Sequence, residues 1–436
     1  MTATPELARR IGRWGLTGLV INGMIGSAIF GLPATVGDRL GQSAPWAWGL
    51  AAILIGVVIA CFAEVASRFR DAGGPYLYVH ATFGRYLGLQ TGWMAFLTRL
   101  TATAAVVNLF VSYLGVFVDG VTSGLGNLVV VTVLLGGLAA INVRGVGPGA
   151  GVSSTLAVLK LAGLAAFIGF GLIWLGGHEP VAVPPPPPGI DPWLATLLVL
   201  VFAYGGFEAA LMPLAEARDP ERDAPFALFV ALGVATLVYI LVQIVVTLTL
   251  VEPGKTTTPL ADAARGFLGD SGAGLIAATA LLSTFGYLAG AMVNVPRLTF
   301  AMAERRDLPS FFAAVHARFR TPFLSIVVFA VLAWALAASG SFLQNVSLSV
   351  AARLVTYGLV CAAVPVLRRR DGRVGAGAGT VAPAALRLPG GVILAGIGVL
   401  GMLVMVVQVS TREAVIMAIV VALASVHYAA VRRLPA

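Results

Sequence analysis

Apolar residues run along this chain in blocks of about twenty, separated by short polar or basic segments, from residue 14 nearly to the C-terminus. Blocks of that length, rich in Leu, Ala, Val and Gly and free of two-residue alternation, predict membrane-spanning helices rather than barrel strands. The pattern resolves into twelve spans: 14–40, 44–69, 82–118, 127–142, 150–175, 191–214, 225–250, 273–303, 322–339, 346–367, 389–408 and 413–431. Two of them are interrupted. The first gathers Gly23, Gly26 and Gly31 with Ser27 where a membrane helix is ordinarily most regular, and the sixth carries Gly205 and Gly206 directly after Phe202, Ala203 and Tyr204.

Five spans separate the two interruptions, so they hold the same place in two five-helix halves. Either glycine cluster alone is explained by close helix packing. As a matched pair they point to the binding site of a secondary transporter, where freed amides receive anionic groups and freed carbonyls receive cations.

Composition supports the membrane reading: 58% of the residues are hydrophobic and 11% charged, against roughly 25% charged in a soluble domain. The net charge of +9 raises the question of nucleic acid, and the placement of the charges answers it. With a cytoplasmic N-terminus, cytoplasmic segments hold 20 of the 28 Lys and Arg, external segments hold four, and four lie within spans. That asymmetry is a topology signal, with both termini inside, and not a polyanion-binding patch. Cys61 and Cys361 fall within spans as small buried residues, with no disulfide expected. The basic stretch Arg9, Arg10, Arg13 leads into a span with no small-residue cleavage site, which reads as a start-transfer helix and not a signal peptide. His80, His178, His316 and His427 are scattered and form no metal-ligand spacing. No nucleophile–base pair or cofactor motif is present, so an enzyme is not expected, nor a cofactor or metal. The proline run at 184–188 is expected to be an extended spacer.

Lys160, one of only two lysines, sits inside the apolar run 152–173. A charge at mid-bilayer costs roughly 3 kcal/mol on insertion scales and usually marks a transport path with a defined partner. Snorkelling to an interface is the competing use, and roughly eight to thirteen apolar residues on either side, about 12–20 Å of helix, weigh against it.

Several motifs then stand in a telling order. Ile25-Gly26-Ser27-Ala28-Ile29-Phe30 is similar to the Gly-Ser-Gly break in the first helix of the amino acid–polyamine–organocation transporter superfamily. Phe202 to Glu208, followed by Ala215-Glu216-Ala217-Arg218-Asp219-Pro220, looks like that family's sixth helix and its exit. Phe62-Ala63-Glu64 with Gly73-Gly74-Pro75-Tyr76, Asn142-Val143-Arg144-Gly145-Val146, Pro296-Arg297 and Asp307-Leu308-Pro309 extend the resemblance over about 14–370. It implies an all-α LeuT-type fold of five plus five helices with broken helices 1 and 6, plus two C-terminal helices. The corresponding units are a cytoplasmic segment 1–13, repeats 14–176 and 191–367, an external linker 177–190, a cytoplasmic linker 368–388 and a C-terminal pair with tail, 389–436.

Carried over by position, the resemblance implies that amides around Ile25, Gly26, Ser27 and Ala28 hold a substrate carboxylate. Carbonyls of Met24, Phe202 and Gly205, with Ala203 beside them, would hold its ammonium, and Phe202 would serve as a gate. Ala28 replaces the family's glycine, and its methyl narrows the approach. Lys160 matches the fifth-helix lysine of sodium-independent members, which bridges the first and fifth helices where sodium-coupled relatives bind an ion. Carbonyls around 23–25 are its expected partners. Glu208 is a coupling candidate, as proton carrier or as ligand for a cationic side chain, against a local role as a carboxylate bonded by nearby amides. Asn108, Ser283 and Tyr287 are candidate polar groups of the pocket, while Arg99 and Arg353 are expected to bind carbonyls or pair within the bundle. Charges over 216–223 and 304–307 are either an intracellular gate or a solvated face.

The expectation is a sodium-independent amino acid permease in a bacterial-type plasma membrane, working by alternating access as proton symporter or exchanger. Its partners would be amino acid, lipid and protons, with no nucleic acid and any partner subunit unknown. Phe202, Phe207 and Leu211 suggest neutral substrates. A cationic amino acid or polyamine carrier using Glu208 and a non-transporting sensor are the alternatives.

Overall fold

The computed structural model describes residues 12–69, 74–145, 150–181, 183, 185, 189–210, 219–304, 307–371 and 384–432, and contains no strand among them. Leu211, Glu216 and most of the proline run at 184–188 lie outside the described residues. The first span is two helices, α1 (Arg13–Met24) and α2 (Ala28–Leu40). Between them Ile25 leaves helical conformation at φ −73°, ψ 77°, and the Gly26 amide turns back to donate to the Met24 carbonyl at 2.7 Å. The chain continues through α3 (Ala44–Ala66), a short α4 (Gly74–Phe83), α5 (Arg85–Leu114), α6 (Gly124–Val143) and α7 (Ala150–Leu175).

The second half opens with the other broken span, α8 (Asp191–Ala203) and a one-turn α9 (Phe207–Ala210). It proceeds through α10 (Pro220–Thr249), α11 (Pro259–Glu304), α12 (Phe323–Ser339) and α13 (Phe342–Asp371). Two peripheral helices, α14 (Gly391–Val406) and α15 (Thr411–Arg432), complete the bundle.

Both halves place a short helix before their third long one. In the first half α4 turns into α5 at Gly84, φ 90°; in the second, residues 259–268 turn into the rest of α11 at Gly269, φ 66°. Positive φ is the conformation glycine adopts without penalty. The hydrophobic pattern begins these spans at 82 and 273 and misses both short helices. Each is too short to cross a bilayer and mixes polar with apolar residues.

Buried aromatics hold the breaks in place from outside. Trp48 of α3 packs against Tyr204 and Tyr239, and its indole N–H donates to Gln243 Oε1 at 2.9 Å. Phe62 packs edge-on against Phe207 and Tyr357. The side chains of these six aromatics are fully buried, and the polar atoms of Trp48, Tyr204, Tyr239 and Tyr357 each find a partner, as burial requires.

The end of the bundle where α1 and α7 begin is rich in arginine and is tied by ion pairs. Arg13 reaches Asp223 at 3.1 Å and Arg85 reaches Asp307 at 3.2 Å, with Tyr76 also bonding Asp307. Asp223 and Asp307 are buried, so neither belongs to a solvated face. The tightest cluster joins α3 to α13: Arg368 grips both oxygens of Glu64 at 2.6 Å, and Arg68 grips Asp371 at 2.7 and 2.8 Å. Removing one member of a buried pair strands the other. Glu64→Ala is therefore expected to cost about 3–5 kcal/mol, which a thermal melt in detergent reads as a clear drop in midpoint.

Candidate functional site

The two helix breaks touch each other backbone to backbone. A methyl built on Gly206, whose φ is 101°, would lie 2.4 Å from the Gly23 carbonyl oxygen. Only glycine permits both the dihedral and the approach. Beside this contact opens a cavity of about 270 Å³. Its wall is formed by Asn22, Gly23 and Gly26 at the first break, Gly206 at the second, Lys160 on α7, Arg99 on α5, and one face of α11 that includes Ser283 and Tyr287. The contributing stretches of α7 and α11 run from the level of the breaks toward the arginine-rich end.

Lys160 is 95% buried by accessible surface (5% exposed) and reaches the first break. Its ammonium donates to the Asn22 side-chain oxygen at 2.7 Å and to the Asn22 carbonyl at 3.2 Å. The expected partners were the carbonyls at 23–25; the bridge between α7 and α1 forms, one residue earlier and with a side chain added. The helix stops at Met24, so the Asn22 carbonyl in its last turn has no intrahelical donor and is available to a cation.

The other candidate residues divide clearly. Gly26, Ser283 and Tyr287 lie on the cavity wall, and Ser283 Oγ is buried without a hydrogen-bond partner among the described residues. Met24, Ile25, Ser27 and Ala28 are buried off the wall, and so are Phe202, Ala203 and Gly205. Among the described residues no side chain caps the start of α2; the Gly26 and Phe30 amides donate to the Met24 and Ser27 carbonyls, and those of Ser27, Ala28 and Ile29 keep their donors for another acceptor.

Asn108 is a correction. It donates to the Ala337 carbonyl at 2.8 Å and accepts from Asn345 at 3.0 Å, tying α5 to α12 and α13 away from the cavity. The carbonyls assigned to an ammonium are also engaged. Met24 accepts from Gly26 and from the Tyr239 hydroxyl at 2.7 Å, and that hydroxyl is 3.0 Å from the Ala203 carbonyl. Phe202 accepts from the Gly205 amide at 3.2 Å and Arg353 at 3.4 Å. Tyr239 thus sits between the two broken helices, a role that its position inside a span hinted at, since a buried hydroxyl must find an acceptor.

Glu208 is buried behind the second break and fully partnered. Its carboxylate accepts from the Gly206 amide at 2.8 Å and Tyr357 at 3.1 Å, and pairs with Arg353 at 3.4 Å. Arg353 in turn covers Gly205, where a methyl would fall 1.6 Å from its Nη1. This is the local, structural use of Glu208, strengthened by an ion pair. Of the residues that suggested neutral substrates, Phe202 and Phe207 are not on the wall: Phe207 is fully buried, and Phe202 lies beneath Arg353.

Comparison with known proteins agrees with this architecture. A family profile described as "Amino acid permease" matches residues 11–427. The serine/threonine exchanger SteT of Bacillus subtilis is 32% identical over 73% of this chain and 74% of its own length. The methylthioribose transporter of the same organism is 28% identical over 84% and 82%. The large neutral amino acids transporter small subunit 2 of Mus musculus is 29% identical over 72% of this chain and 62% of its own.

Proposed function

We infer that this chain, which belongs to the amino acid permease family of membrane transporters, carries amino acids without sodium by alternating access, exchanging one for another. It is an integral membrane transporter and not an enzyme. The observation that carries the proposal is the Lys160 ammonium, seated on the Asn22 oxygens at the cavity wall. A fixed ammonium supplies at the first break the positive charge that a bound sodium would otherwise supply, so no external cation is needed. The substrate carboxylate is received by the uncapped amides at the start of α2, where the helix dipole favours an anion. The substrate ammonium is received at the Gly206 side of the cavity.

The repeats 14–176 and 191–367 move against each other around this site, and the ion pairs of the arginine-rich end, Arg13–Asp223 and Arg85–Asp307, hold that side in its present arrangement. Exchange is favoured by the relative described as a serine/threonine exchanger. The positive-inside count supports a cytoplasmic position for the arginine-rich end and both termini, and the reading takes the membrane to be a bacterial-type plasma membrane. A polyamine or cationic amino acid carrier built on Glu208 has the pairing of Glu208 with Arg353 against it.

Proton coupling is a second reading, supported by one feature: the observed partners of Lys160 are the neutral oxygens of Asn22, with no carboxylate to hold its proton. Reconstituted protein separates the two. Exchange predicts that uptake of a labelled amino acid requires unlabelled amino acid inside the vesicle and ignores an imposed pH gradient. Uptake into empty vesicles driven by the gradient would establish symport instead.

A further inference from the structure

The cavity wall carries two cations, Lys160 and Arg99, and no carboxylate among the described residues. Directly behind it Arg353 is paired with Glu208. Three cationic groups therefore face one anionic group at mid-membrane, an imbalance of two charges where water is scarce and charge is costly. Lys160 has its Asn22 oxygens. Arg99 has no such tether.

Arg99 projects from the middle of α5 and is partly exposed. It lines the cavity at the breaks and also a smaller void of about 30 Å³ shared with Glu208, Arg353, Thr98 and Tyr357. Its backbone carbonyl accepts from Thr103, but its guanidinium makes no hydrogen bond, and no ion pair within 4 Å, among the described residues. Around it stand further donors without acceptors among the described residues: Ser283 Oγ on the cavity wall, Thr98 Oγ1 and Arg353 Nε at the void, all buried. Five guanidinium N–H groups in a rigid plane, permanently charged, are suited to grip a carboxylate with two parallel hydrogen bonds.

We propose that Arg99 receives a second carboxylate carried on the substrate's side chain, so that the amino acids moved by this protein include the acidic ones, L-aspartate and L-glutamate. The inference rests on the permease reading above. A zwitterion brings no net charge and leaves the imbalance of two in place, whereas a dicarboxylic amino acid brings one net negative charge into the cavity. With its α-carboxylate and ammonium held at the two breaks, its side chain has the Arg99 side of the cavity to occupy. Glu208 shares the smaller void with Arg99, but its hydrogen bonds and ion pair go to Arg353, Tyr357 and the Gly206 amide.

The test is counterflow of the twenty labelled L-amino acids, each into proteoliposomes preloaded with the same unlabelled compound. Aspartate or glutamate is expected among those that exchange. In Arg99→Gln the ratio of acidic to neutral counterflow falls by about 10- to 100-fold, the usual effect of losing a hydrogen bond to a charged group. Exchange of serine or other neutral amino acids with neither acidic one moving overturns this inference and leaves the permease standing. Movement of no amino acid at all overturns both. Acidic exchange with an unchanged ratio in Arg99→Gln removes Arg99 as the subsite. The wild-type panel needs no variant, so the substrate class is decided even if Arg99→Gln fails to fold.

Discussion

Lys160→Met abolishes most transport, lowering counterflow by roughly 100-fold, while the protein still elutes as a folded, monodisperse species from size exclusion. Methionine keeps the apolar stem that packs in α7 and removes only the ammonium. What is lost is the donor to Asn22 Oδ1 and to the Asn22 carbonyl. Those oxygens are then left beside the first break without a cation, and α1 loses its polar tie to α7. Lys160→Arg restores charge but not shape, since a planar guanidinium must fit where a compact ammonium sits, and it recovers only part of the rate. Counterflow and melting temperature measured side by side separate the transport effect from a folding defect. Normal counterflow in Lys160→Met would reduce the lysine to a helix-packing residue.

Gly206→Ala is expected to be nearly as damaging, and through the fold rather than through charge. Alanine at φ 101° is strained, at about 1–3 kcal/mol for such a backbone. Its methyl would also meet the Gly23 oxygen at 2.4 Å, and overpacking of this kind costs about 1–3 kcal/mol more. The neighbour is backbone, not a flexible side chain, so the two breaks must move apart. That motion dislocates Gly23 and Gly206 together, both on the cavity wall. Gly18, an exposed glycine within α1, has nothing within 4 Å of its would-be methyl. Gly18→Ala is the matched control, expected to be neutral or to stabilise α1 by about 0.5–1 kcal/mol. Melting temperature and counterflow for the pair show whether the contact between breaks, or glycine content in general, matters.

Both breaks and Lys160 were legible in the sequence because each violates a strong regularity, glycines and a charge inside apolar helices. Asn22 was not, since one asparagine beside a glycine cluster has many uses and only the reach of Lys160 selects it. Asn108 illustrates the reverse error: polarity inside a span marked it for the pocket, yet Ala337 and Asn345 satisfy it elsewhere. The orientation of Phe202 and Phe207 was out of reach for a different reason. Around a helix break the side-chain direction follows local dihedrals such as those of Gly206, and no helical period predicts them. The short helices at 74–83 and 259–268 escaped because hydrophobicity finds what crosses a membrane, not what lies at its edge. Arg353 was expected to bind carbonyls or pair within the bundle, and it does both.

These placements give the site a simple electrostatic logic. Glu208 and Arg353 neutralise each other behind the second break, and Glu208 also accepts from the Gly206 amide there. Lys160 supplies a fixed cation at the first, and Arg99 remains for the cargo. On the proposed reading sodium has no role at the first break, since the Asn22 oxygens are bonded to the Lys160 ammonium. The most direct measurement is counterflow by the wild-type protein in sodium-containing and in sodium-free, choline-substituted medium. Equal rates in the two media are the predicted result; a rate that collapses when sodium is removed would contradict the account.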